Sequence, residues 1–538
     1  MSHKPTDLSS KIAQAFSHLL PDFMMSSHLR SNTPSGFIVY PTELLEGKPH
    51  RAERFYKGEF ALETGVAKSG TTSPFDIQPP HEEWQNELLS FTWLRDLRAL
   101  EEHNAAKAQS SSNVGLSTIH ARSLINNWIE GQQKEHLTSP GIKARRLISW
   151  FVNAQFLLNH DDGIFQDTFL SSIDQQVKSL NKITPHRVKK EERLCCLTAL
   201  CFAHICLEGA ERSLSRKVDL FAEQISKEIL PDGGHITRNP VKVVSILLDL
   251  LPILSAYEAR SKPAPKELIN AVDRMFPMLR FFLLGDNGLA QFNGATDFHT
   301  DIIKTLLKTD TQSGKPLSHA RYSAYHRIHN GQTVLICDGG NSPPQHFDTE
   351  CHASALSFEM SHNKHRIVVN CGGAKPENEY WFEAAKATAA HSTLNLDDTS
   401  LSHPTSQPLS RFKKTGKSSD DEHVGDRHSQ NEKGTLIEAA HNGYVDSFGI
   451  IHQRRLFLST NGNDLRGEDS LVVANNHTNS ARNFAIRFHL HPDVIVTKPK
   501  KGQQLHLVLP NKAAWSFSCS GAKISEEDSH DKLCYTAL

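Results

Sequence analysis

Long apolar runs are missing from these 538 residues. Longer stretches such as Leu194 to Leu207 are interrupted, here by Thr198 and His204, and fall short of the ~20 residues that a membrane-spanning helix needs. The N-terminus, Met1-Ser2-His3-Lys4-Pro5-Thr6-Asp7, leads into a polar amphipathic stretch without an apolar signal core. The expectation is a soluble chain with no transmembrane segment and no export signal, cytoplasmic or cell-envelope associated. A charge excess is missing as well. The formal net charge is -1 at pH 7, so nothing global argues for an anionic membrane surface or for nucleic acid, which is not expected as a partner, and any attraction for an acidic ligand must be local. The nine cysteines, four of them (Cys195, Cys196, Cys201 and Cys206) in one apolar segment, form neither a disulfide framework nor a zinc spacing.

What is present divides the chain in two. From about Ser112 to Phe292, apolar residues recur at three- and four-residue spacing over Leu124 to Lys134, Ala144 to Leu158, Ile173 to Leu180, Glu191 to Leu207, Leu214 to Ile229, Val241 to Glu258 and Pro265 to Leu284. Short polar breaks between such helices imply antiparallel neighbours, hence a bundle, solenoid or helical toroid. No fixed-period repeat supports a solenoid. Before Ser112 the sequence mixes short elements with turns. After Tyr322, short β-rich segments bounded by turn residues predict an antiparallel sandwich. The expected domains are 1–318 and 319–538, with a long polar loop over 400–434.

The β part is organised around Cys351 to Met360, read as a strand that turns at Asn363 and returns as Arg366 to Gly373. Alternation puts His352, Ser354, Leu356, Phe358 and Met360 on one face. That places a polar cluster at the rim of a sheet. Pro231-Asp232-Gly233-Gly234-His235-Ile236-Thr237-Arg238-Asn239-Pro240 joins two helical stretches. A turn with Asn239 capping the next helix and Pro240 at its first position explains most of it, but a turn has no need of His235 and Arg238. The loop Gly285 to Gly294, which carries Asn293, is of the same kind. His391, His441 with Tyr444, and Arg455 add imidazole, phenol and guanidinium groups with few carboxylates among them. Such a set suits an anionic ligand.

These motifs, together with Arg487-Phe488-His489-Leu490-His491-Pro492, resemble the bacterial heparinase II/III family, most closely its unsecreted subgroup, from about Phe37 to Phe517. The resemblance implies an incomplete (α/α) toroid followed by an antiparallel β-sandwich, with a cleft for an acidic polysaccharide or oligosaccharide between them. It also implies β-elimination on a uronate, in which donors neutralise the carboxylate, a base takes the C5 proton and an acid protonates the leaving oxygen. On this reading Arg238 and Asn239 neutralise the carboxylate, His235 and His352 transfer protons or orient substrate, Tyr444 is the acid, and Asn293, His441 and Arg455 contact the glycan. No cofactor is required. Relatives with a zinc-bearing sandwich hold the metal at positions like Ser354, Asn370 and His391, of which only His391 is a good ligand type, so a weak zinc site at most is expected.

The chain departs from the family in two places. Lys242 stands near the place of the usual helical-domain tyrosine, and the polar Ser525 to Leu538 suggests missing or altered last strands. Two other readings follow from the same architecture: a non-catalytic acidic-glycan-binding protein, and a glycoside hydrolase using Asp232 and Asp286, which would need ~5 to 9 Å between carboxylates.

Overall fold

The computed structural model describes residues 34–537 apart from 108–114, 132–137, 160–161, 184–187, 297, 341, 375–377, 402–425, 475–477, 482, 499–503 and 529–534. Among the described residues the seven expected helical stretches coincide with helices, Leu116–Glu130, Pro140–Val152 with Ala154–Leu158, Gly163–Lys182, Arg193–Cys206, Glu211–Glu228, Pro240–Ala259 and Lys266–Phe281; the expected end of the first, 132–134, lies outside the described residues. Several begin at side-chain caps. Ser139 precedes Pro140, Asp162 precedes Gly163 and Asn239 precedes Pro240, each accepting a backbone N–H of the first turn. The region before Ser112 is more helical than its turn-rich sequence suggests, with Pro49–Phe55, Glu82–Ser90 and Leu94–Lys107. Its order comes from tertiary packing, because Trp84, Phe91 and Trp93 are buried in the same core as Trp128 and Trp150. Pro240–Ala259 is the one helix among the described residues long and apolar enough to cross a membrane, and half of its most apolar window is buried in the fold.

The last helix of the toroid, Thr300–Thr309, is followed by the first strand of an eight-stranded antiparallel sheet. Its spatial order is Glu526–Asp528, Tyr535–Ala537, Phe488–Leu490, His365–Val369, Phe358–His362, Thr333–Asp338, Tyr325–Asn330 and His319–Ala320. A four-stranded sheet (Leu465–Val473, Ile450–Ser459, Gly434–Tyr444, Asp426–Asn431) faces it across a core that includes Ile328, Leu335, Cys337, Ile437 and Leu456.

The run Thr333-Val334-Leu335-Ile336-Cys337-Asp338 explains why toroid and sandwich dock. Leu335 and Cys337 enter the sandwich core, while Val334 and Ile336 join the core of the toroid. A strand covered on both faces reads as a continuous apolar run. Asp338 is next in the row that faces the toroid, so alternation delivers a carboxylate to the domain boundary.

Three expectations need correction. The central strand begins at Phe358, because Leu356 takes a left-handed backbone (φ 61°) that ends the alternation. His352 and Ser354 therefore lie on a loop rather than on a strand face. The expected polar loop over 400–434 includes the strand Asp426–Asn431, which hairpins onto Gly434–Tyr444, while 402–425 lie outside the described residues. The C-terminal segment does form strands, since Tyr535–Ala537 pairs with both Phe488–Leu490 and Glu526–Asp528.

Candidate functional site between toroid and sandwich

One hydrogen-bonded network joins the two domains, with Asp338 at its centre. Its carboxylate takes the Arg238 guanidinium on one oxygen. The other oxygen accepts from Ser354 Oγ at 3.0 Å and from Asn293 Nδ2 at 3.5 Å. Asn293 Nδ2 also donates to Tyr325 Oη at 2.6 Å, and that hydroxyl donates to the Arg238 carbonyl at 2.8 Å. Asn293 Oδ1 receives the backbone N–H of His352 at 3.3 Å. All of these side chains are buried. Burial alone would pull the Arg238 pKa down, but the Asp338 carboxylate outweighs it and leaves the guanidinium above its ordinary value.

Backbone conformation follows from this network. Arg238 (φ 61°) and Asn293 (φ 49°) both sit in the left-handed region, a cost that their side-chain bonds offset. Gly340 must be glycine for a related reason, because a Cβ there would collide with the Arg238 guanidinium.

His352 ends the network. Its Nδ1 lies 3.0 Å from Nε2 of His391, whose own Nδ1 lies 2.8 Å from the Ala387 carbonyl. A carbonyl only accepts, so His391 Nδ1 carries a proton and its Nε2 accepts one from His352 Nδ1. His352 Nε2 is therefore the bare nitrogen of the pair. Burial, with help from the Lys386 ammonium, pushes the His352 pKa down to about 4, so the ring is neutral near pH 7. His391 is also held well below its ordinary value, first by burial and then by His352.

Beside the network lies a cavity of about 200 Å³ whose wall includes Arg145, Glu228, His235, Lys242, Asp249 and Glu350. His235 Nε2 is 3.1 Å from Glu228, and its Nδ1 is 2.8 Å from the Thr237 hydroxyl. Asn239 Oδ1 caps Val241 N at 2.9 Å, which turns Nδ2 toward the Glu350 carboxylate, 3.4 Å away. The loop carrying Glu350 also brings Phe347 edge-on to His235. Carboxylates are more numerous in this cleft than the sequence motifs suggested. A larger open hollow of about 360 Å³ beside Ile129, Asp167 and Gln175 has no comparable convergence.

Of the residues singled out in the sequence, His235, Arg238, Asn239, Asn293 and His352 are brought together, but Arg238 and Asn293 are consumed by internal bonds. Neither offers a free donor to a ligand in the way the sequence reading assigned. Tyr444 is not presented to the cleft: it is buried beside Leu394 and Leu396, and its hydroxyl donates to the Leu394 carbonyl at 3.1 Å. His441 is sealed in a separate buried chain, 3.1 Å from His452, which is 2.7 Å from Asp469. Arg455 pairs with Glu438 and Glu468 on an exposed sheet face. The hydrolase pair fails on the same grounds. Asp232 holds Tyr322 N and Ser323 N, while Asp286 is paired with Arg366.

The zinc positions do not fit a metal. Ser354 donates to Asp338, His391 Nε2 accepts from His352, and Asn370 Oδ1 accepts from Ser392 N at 3.2 Å. Every donor atom already has a protein partner, and among the described residues no group of three or more His, Cys, Asp or Glu could hold an ion. Asp338 and Glu350 are the residues that sequence reasoning missed. Asp338 was legible as a charge ending an apolar strand before Gly339-Gly340; Glu350, in a polar loop, gave no signal.

Comparison with known proteins agrees with this architecture. Residues 312–533 match the family model "Heparinase II/III-like, C-terminal". FtsZ-localized protein C of Caulobacter vibrioides is 28% identical over 497 residues, covering 90% of this chain and 82% of that protein. A heparinase III crystal structure superposes with a TM-score of 0.69 at 13% identity, covering 98% of this chain and 88% of that one. Heparan sulfate lyase HepC from Pedobacter heparinus gives 0.59 at 14% identity, covering 98% and 84%. Residues 312–533 thus carry a heparinase II/III-like C-terminal domain, on a chain with the fold of heparinase III.

Proposed function

We propose that this protein binds a uronic-acid-containing poly- or oligosaccharide in the cleft between toroid and sandwich and cleaves it by β-elimination. The observation that carries this reading is the bare Nε2 of His352, a neutral base fixed at the domain boundary by His391 and Asn293. In the proposed reaction, Asn239 Nδ2 and the Lys242 ammonium neutralise the uronate carboxylate, which makes the C5 proton acidic. His352 Nε2 takes that proton. The electron pair becomes the C4–C5 double bond as the C4–O bond breaks, and the leaving oxygen takes a proton from water, since both His235 ring nitrogens are already bonded to Glu228 and Thr237. The arriving carboxylate also favours the protonated form of His352 and so makes it a stronger base. No step needs a metal.

The experiment is incubation with a panel of uronic-acid polymers while ultraviolet absorbance of an unsaturated product is followed. Absorbance supports the lyase, and its absence across the panel removes it.

A second reading, a non-catalytic acidic-glycan-binding protein, is favoured by one observation: Arg238 and Tyr444 are both locked in internal bonds. The FtsZ-localized relative carries a name that describes a place in the cell and no reaction. Retention on a uronic-acid polymer without turnover would support this reading. Either activity is proposed for the cytoplasm or the cell envelope.

A further inference from the structure

The cleft contains a carboxylate that no step of the proposed chemistry uses. Glu350 lies 3.4 Å from Asn239 Nδ2 and 3.8 Å from Lys242 Nζ, at the first turn of helix Pro240–Ala259. An amide N–H, an ammonium and a helix N-terminus together are the surroundings that a ligand carboxylate would seek. Asn239 is almost fully buried and its amide is fixed by the cap to Val241 N, so the donor is held in place whether or not an anion is there. Glu350 is less constrained. Its side chain is 47% exposed and both contacts are long, the kind of pairing that contributes little and exchanges readily.

We propose that Glu350 occupies the carboxylate subsite of the free protein, and that a uronate must displace it to bind. Glu350 is thus a self-occupying gate on the loop Pro344 to Cys351, which also supplies His346, Phe347 and Thr349 to the cavity wall. Gly294 permits this seating, since a Cβ there would press on the Glu350 backbone and Cβ from below. This inference rests on the reading of the cleft as an acidic-glycan site, and it gives that site its selectivity: only a ligand whose carboxylate competes with an internal one enters.

The test is equilibrium binding of D-glucuronate and of a fluorophore-labelled heparan sulfate oligosaccharide to the full chain, with D-glucose as the uncharged control. Glu350→Gln removes the competing charge and is expected to tighten both acidic ligands by roughly three- to tenfold. Asp348→Asn removes an equal charge from the same loop without touching Asn239 or Lys242 and is expected to change affinity less than twofold. Lys242→Met in the Glu350→Gln background is expected to abolish the gain. If wild type binds and Glu350→Gln is no tighter, or if Asp348→Asn gains as much, the gate is wrong while the glycan reading stands. If neither wild type nor Glu350→Gln binds any uronate, the glycan reading fails and the gate fails with it.

Discussion

His352 gives its Nδ1 proton to His391 across 3.0 Å, and His391 is fixed in turn by the Ala387 carbonyl. The tautomer of the first ring is thus set by the backbone bond of the second. The pair is buried, so the ring is held in place as well as its tautomer. His352→Ala is expected to lower the elimination rate by ~10²- to 10⁴-fold. His391→Phe, which keeps a ring but removes the acceptor, is expected to lower kcat about tenfold with little change in KM. Initial rates at saturating and limiting polymer separate the two effects. Equal KM and kcat losses in His391→Phe would mean that the second ring supports binding rather than orientation.

Arg238 and Asp338 form a buried pair, and its role is to hold the domains together. Arg238→Met leaves the Asp338 carboxylate buried and unpaired, at an expected loss of about 3–5 kcal/mol of stability. Urea denaturation measures this directly. A stable Arg238→Met protein that had merely lost affinity for glycan would return Arg238 to the ligand-binding role that its sequence position suggested.

Tyr444→Phe separates two readings of a phenol. The hydroxyl donates to a buried carbonyl, so its removal is expected to cost about 1 kcal/mol and to leave both glycan binding and elimination unchanged. Burial also raises the Tyr444 pKa above its ordinary value, which suits a structural phenol. A hundredfold loss of turnover without loss of stability would restore it as the acid.

The fold was legible because it is written in periodicity. Helix caps, apolar spacing and the change to short β-rich segments announced a helical part followed by a sheet-rich part, and the family motifs agreed. The site was legible only as far as residue type goes. His352, Asn239 and His235 could be nominated, but whether a polar group is free or spent depends on partners far away in sequence, as Arg238 with Asp338 and Tyr444 with Leu394 illustrate. The expected strand alternation through His352 failed at Leu356 for a local reason, a left-handed backbone that side-chain patterns do not announce. Before Ser112, helices formed where the sequence reads as turns, because the aromatic core of the toroid supplies order that local propensity does not.

The pH dependence of stability has two opposing sources. His352, His391, His441 and His452 are all pushed below their ordinary pKa by burial. Each contributes stability that is present above the unfolded value of about 6.5 and is lost on acidification, for His352 as pH falls through about 4. Glu359 behaves in the opposite sense. Burial raises its pKa to about 7, so its contribution is present below the unfolded value and is lost as pH rises through about 7. One Glu359 oxygen accepts from Gln291 N and Asn370 N at 3.1 and 3.0 Å, while the other has no partner among the described residues. Glu359→Gln keeps the first oxygen and removes the buried charge. Its stability relative to wild type is therefore expected to improve between pH 5 and pH 8 by about 1–3 kcal/mol, measured by urea denaturation at both values. An equal difference at the two pH values would mean that Glu359 does not ionise in this range, and the opposing term would then have to come from another group.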